Sequence, residues 1–210
     1  MSTLDLWTRT ITPQFLAAAL LLSLAPGPDN LFVMILSLTR GAAVGLCVIG
    51  GLCSGLMIYT AATASGVAAA VAAMPIILPA LRLIGAIYLF YLSVAAWRSG
   101  AGQLPQLPRL TGIQAWRRGL QMNLTNPKIM LFFLAFLPPF ADPQRGSIML
   151  QIFYLGTAFT AVAAGVFMML SLCAARLGAI WGRTLRLRIF LQRIEAAVLA
   201  ALAFWLLLDL

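Results

Sequence analysis

The sequence predicts an all-α integral membrane protein of six transmembrane helices, set as two inverted three-helix repeats, with the first and fourth helices broken at proline-containing motifs. Three observations predict it. Of 210 residues, 62% are hydrophobic and 9% charged, and the mean hydropathy is +0.99, so the bilayer is the solvent. The apolar residues fall into six long blocks, at about 12–38, 42–71, 76–97, 120–140, 147–174 and 189–209, each near the ~20 residues that cross a ~30 Å hydrocarbon core. Two of the blocks, the first and the fourth, carry proline beside an ionisable residue.

The blocks are continuous rather than alternating, which favours helices over the ~10-residue strands of a membrane barrel. The first begins with an almost neutral flank, Asp5 against Arg9, and runs on to Leu38. It is expected to be a retained helix and not a cleaved signal. In the second, Gly41, Gly45, Gly50, Gly51 and Gly55 predict close helix packing within the subunit. The third carries Tyr88 and Tyr91 on one face, ahead of an interfacial Trp97-Arg98 pair. Between Arg98 and Arg118 a loop rich in glycine and proline leads through a short amphipathic stretch to the fourth. The chain is therefore read as one domain, 1–210, with halves of about 1–98 and 119–210 joined by a cytoplasmic loop, 99–118. The fifth repeats the small residues weakly, at Gly156, Ala164 and Gly165, and the sixth closes the second half. Three helices per half is an odd number, so a shared fold requires the halves to be inserted in opposite senses.

Basic residues set the orientation. Arg40, Arg98, Arg109, Arg117, Arg118, Arg176, Arg183, Arg186, Arg188 and Arg193 fall on one side, and only Arg9, Arg82 and Arg145 on the other. The richer side is expected to be cytoplasmic and both termini to lie outside the cytoplasm. The net charge of +9 is thus topogenic or directed at lipid headgroups, and nucleic acid is not an expected partner. The absence of histidine removes imidazole proton relays, histidine metal sites and Ser-His-Asp hydrolysis. Cys47, Cys53 and Cys173 lie in apolar runs without a C-x-x-C pair and read as small hydrophobes. No catalytic residue, metal or cofactor is expected.

The chemistry is expected at the two breaks. Pro26-Gly27-Pro28-Asp29-Asn30 cannot continue a helix, and the backbone groups it frees need polar partners. Asp29 is the one acidic residue well inside the first five blocks; in hydrocarbon it costs a few kcal/mol unless it faces an interior or a partner. Asn123-Leu124-Thr125-Asn126-Pro127-Lys128 is the counterpart in the fourth block. Asp29 lies back from Arg40 about as far as Lys128 lies forward from Arg118, roughly 15 Å at helical rise. The breaks are expected to meet near mid-membrane, as in transporters with discontinuous helices. Asp29, Asn30, Pro26, Gly27, Pro28, Asn123, Asn126, Pro127 and Lys128 are the candidate substrate or coupling residues, with Tyr88 and Tyr91 as further donors. A buried ion pair that only holds two kinked helices in register is the bland alternative.

The stretch Ser23 to Phe32 around Pro26-Gly27-Pro28-Asp29-Asn30, the glycine-spaced second block, Gly85 to Leu92, and Asn123 to Lys128 followed by Leu131 to Pro138 together resemble the LysE/RhtB family of amino-acid exporters. The resemblance spans nearly the whole chain in the family's order. It implies export of amino acids or derivatives across a bacterial inner membrane, with Asp29 and Lys128 at the family's motif positions, and is compatible with a homodimer. Ser93 and Pro139 depart from the family pattern, where glycine and glutamine are common. The expected activity is proton-driven export of an amino acid by alternating access. A metal-cation exporter of the same superfold and a membrane assembly protein without a transport cycle are the rival readings.

Overall fold

The computed structural model describes residues 10–25, 27–73, 77–98, 110–177 and 185–208; Pro26, the chain ends and most of the expected 99–118 loop lie outside the described residues. The described chain is helical, with α1 (Pro13–Leu24), α2 (Pro28–Arg40), α3 (Ala42–Ala73), α4 (Ile77–Arg98), α5 (Gly112–Leu124), α6 (Pro127–Leu131), α7 (Ile148–Leu177) and α8 (Leu185–Leu208).

α3 and α7 are each long and apolar enough to cross a membrane, and the bent pair α1 and α2, 55° apart, adds a third span if the two are one. With the apolar surface these helices expose, including Leu21, Ile58, Met149 and Leu172, the molecule is a multi-pass membrane protein. The six-block reading maps onto α1 with α2, α3, α4, α5 with α6, α7 and α8. The start that differs most is that of the fourth block. α5 starts at Gly112, with Thr111 and Gln114 forming a reciprocal capping box, so the connection expected to reach residue 118 ends sooner. Thr111 and Gln114 satisfy the first amide groups of a helix too polar to be found by hydropathy.

Glycine sets the main contacts. A Cβ on Gly51 would overlap the Trp116 carbonyl, and one on Gly119 would overlap the Val48 carbonyl, so α3 and α5 meet backbone to backbone. Gly55 leaves space for the Asn123 side chain, and Gly156 of α7 for Thr60 of α3. Gly41 ends α2 at φ 87°, a left-handed conformation that glycine adopts without strain, and α3 begins at the next residue. Ser37 of α2 and Ser171 of α7 share a hydrogen bond of 2.7 Å. α4 lies along α8, α3 along α5 and α7, and α1 and α2 along α7. Ser93, one of the two departures from the family pattern, donates from α4 to the Ala196 carbonyl of α8 at 2.7 Å.

Beyond Lys128 the fourth block is not regular. A π-helical turn runs over Phe132–Phe136, followed by short 3-10 turns at Pro138–Phe140 and Pro143–Arg145. Phe132, Phe133 and Phe136 are fully buried. With Phe15, Phe140, Phe159 and Tyr59 they form a run of ring contacts, the tightest being Phe132 to Phe159 at 4.5 Å. The turn after it is held by the buried Gln151 side chain, which accepts from the Asp142 amide and donates to the Asp142 carbonyl.

Candidate functional site

Both breaks open onto one cavity. Its lining includes Ser23, Gly27, Asp29 and Asn30 from the first break and Asn123, Asn126, Lys128 and Ile129 from the second, closed by Leu22, Ala25, Leu56, Phe159, Ala163 and Phe167. Asp29, Asn30, Asn123 and Lys128 are all buried.

The local backbone explains how the polar groups come to be there. α2 starts at Pro28, whose missing amide and fixed φ suit the first helical position, and Gly27 precedes it in extended conformation. Asp29 therefore stands in the first turn of α2, where a carboxylate is favoured by the helix dipole. α6 starts in the same manner at Pro127, with Asn126 as its cap. The Asn126 Oδ1 accepts the Lys128 amide at 3.0 Å, which leaves only Nδ2 to face the other break. That nitrogen donates to Asp29 Oδ2 at 2.9 Å. One side chain thus caps the second half-helix and grips the carboxylate of the first.

Each break also frees a carbonyl that a side chain takes up. Asn30 Nδ2 donates to the Ser23 carbonyl at 2.9 Å. The Leu124 carbonyl, whose usual donor in a continuous helix would be the Lys128 amide, accepts from the Tyr59 hydroxyl at 2.8 Å. Two polar atoms of the lining, Ser23 Oγ and Asn123 Oδ1, are buried without a hydrogen-bond partner. Such atoms are uncommon in a finished core and expected where a ligand or water enters. The cavity itself is small, about 20 Å³ of space for water centres, room for about one water.

Of the residues named from sequence, Gly27, Asp29, Asn30, Asn123, Asn126 and Lys128 line the cavity together, Pro28 and Pro127 open the two half-helices, and Pro26 lies outside the described residues. Tyr88 and Tyr91 are not brought to it. Their rings pair with each other at 5.8 Å, and Tyr91 is 63% exposed; helical spacing put them on one face but could not say which way that face points. Sequence reasoning missed Tyr59, although it lies one turn beyond Gly55, the glycine set against Asn123. It also missed the apolar wall, since Leu56, Phe159, Ala163 and Phe167 have no compositional contrast with their helices.

No solved structure matches the chain. An uncharacterized membrane protein of Pseudomonas aeruginosa is 34% identical over 87% of this chain and 85% of its own length. A second uncharacterized membrane protein, from Vibrio cholerae, is 31% identical over 78% of this chain and 80% of its length. A leucine efflux protein of Salmonella typhimurium is 29% identical over 76% of this chain and 74% of its length. The match to the LysE type translocators covers residues 20–210, both breaks included, and the chain belongs to that family.

Proposed function

We propose that this protein exports amino acids or close derivatives from the bacterial cytoplasm, through the inner membrane, by alternating access coupled to the proton gradient. The observation that carries the reading is the Asn126 bridge to Asp29, which joins two broken helices around one buried cavity of opposite charges. A zwitterion needs such a site: Lys128 for its carboxylate, Asp29 for its ammonium, and the amides of Asn30, Asn123 and Asn126 for orientation. The efflux activity named for the Salmonella relative supports the same direction and class.

The helix contacts support the inverted repeat. The first broken helix lies on α7 and the second on α3, α3 meets α7, and α4 meets α8, so exchanging the halves maps each contact onto another. Pro28-Asp29 and Pro127-Lys128 occupy corresponding positions at the two half-helix starts. Rocking of one half on the other would part the breaks alternately towards each side. Asp29 would exchange its proton as its surroundings alternate between wet and dry.

Counterflow in proteoliposomes with a panel of radiolabelled amino acids tests the class, and uphill export under an imposed pH gradient tests the coupling. Asp29→Asn is expected to abolish accumulation against a gradient. Full uphill export by Asp29→Asn with an unaltered pH dependence would remove the coupling role.

A further inference from the structure

The cavity has two unlike sides. Asp29, Asn30, Asn123, Asn126 and Lys128 come from the breaks, whereas Phe159, Ala163 and Phe167, spaced four apart on α7, form an apolar stripe that Leu56 of α3 extends. Phe159 and Ala163 are 2% exposed and Phe167 6%. Among the described residues, Asp29 and Lys128 are the only ionisable groups in the lining, one of each sign. The ammonium and carboxylate of an α-amino acid meet these one for one, and no third ionisable group remains for a charged cargo side chain. An anion laid on the phenylalanine stripe would be stripped of water without compensation, and a cation would recover only part of that loss from the ring faces.

Resting on the export reading above, we infer that the cargo is an α-amino acid with an uncharged, apolar side chain seated on the Phe159-Ala163-Phe167 stripe, and that Ala163 sets the size of side chain accepted. Ala163 is the one small residue of the stripe, one turn from a ring on either side. Opening the site requires the breaks to part. The stripe lies within one unbroken helix and retains its spacing as they do, so a larger side chain at 163 would fill the seat in every state.

Wild-type protein in proteoliposomes, assayed by counterflow with leucine, methionine, phenylalanine, alanine, lysine and glutamate, tests the proposal. Leucine, methionine and phenylalanine are expected to exceed lysine and glutamate by about tenfold or more, the discrimination an apolar pocket delivers. Ala163→Leu is expected to cut leucine and phenylalanine by about tenfold relative to alanine, and Ala163→Gly to raise the ratio of phenylalanine to leucine. Lysine or glutamate carried as well as leucine would overturn the apolar-cargo proposal and leave amino-acid export standing. No counterflow with any amino acid would overturn both. A folded Ala163→Leu that loses every cargo in parallel would overturn the size role; should that variant fail to fold, an unchanged ratio in Ala163→Gly, which adds no atoms, would do so.

Discussion

Asn126 shows how much one amide does at this site. Its Oδ1 caps α6 and its Nδ2 holds Asp29, so truncation removes a cap worth about 1 kcal/mol and a hydrogen bond to a charged group worth about 1.5–3 kcal/mol. Asn126→Ala is expected to lower the melting temperature in detergent and to abolish counterflow. Asn126→Ser separates the two roles, because a serine hydroxyl can cap the helix but is too short to reach across to Asp29. It should recover most of the stability and little of the transport; recovery of both together would show that the bridge to Asp29 is dispensable. Residues of this kind were legible from sequence because they break a strong background: a carboxylate, an ammonium and several amides inside apolar runs must have a reason to be there. Tyr59 and the α7 stripe were not legible. Aromatic and aliphatic residues are what an apolar helix is made of, and only packing tells a wall of the site from a lipid-facing surface.

At the scale of elements, α3 and α5 approach closely enough at Gly51 and Gly119 that no side chain fits between them there. Gly51→Val would drive Cβ into the Trp116 carbonyl, a clash that no rotamer relieves, and is expected to destabilise by about 3 kcal/mol or to prevent folding. Gly165→Ala is the matched control. It lies mid-helix in α7 with nothing within 4 Å of an added Cβ, so the gain in helix propensity, about 0.5–1 kcal/mol, should leave the melting temperature unchanged or higher. If the two variants behaved alike, helix propensity and not interhelical contact would account for the glycines. Hydropathy found α3 and α7 because each is long and apolar, and the breaks stood out because proline sits there beside an ionisable residue inside an apolar run. It did not place the start of α5, whose first turns are too polar to stand out, nor the π-helical turn at Phe132–Phe136. That turn depends on how the phenylalanine rings pack on Phe159 and Tyr59, which are distant in sequence.

For the whole molecule the question is which side of the membrane each end of the bundle faces. The Ser37 to Ser171 contact brings the ends of α2 and α7 together, and with them Arg40 and Arg176, which sit in the last turns of those helices. Arg193, in the first half of α8, lies over the Trp97 ring at 5.5 Å, next to Arg98 at the end of α4. A basic side chain in a last turn is also favoured by the helix dipole, so charge alone would be an ambiguous guide; the pairing of these ends supports their lying in one layer. Phe15 and Phe140 meet at the opposite ends of their helices, close to the turn where Arg145 pairs with Asp142 at 3.0 Å. The excess of arginine on this layer leads us to expect it to face the cytoplasm. In a variant with Cys47, Cys53 and Cys173 replaced by serine, a cysteine introduced by Arg145→Cys should react with a membrane-impermeant maleimide in intact spheroplasts. One introduced by Arg118→Cys, exposed on α5 ahead of its break, should react only after permeabilisation. The reverse pattern would overturn the orientation read from the arginines and leave the exchange of proton for cargo, whose direction the coupling sets, unaffected.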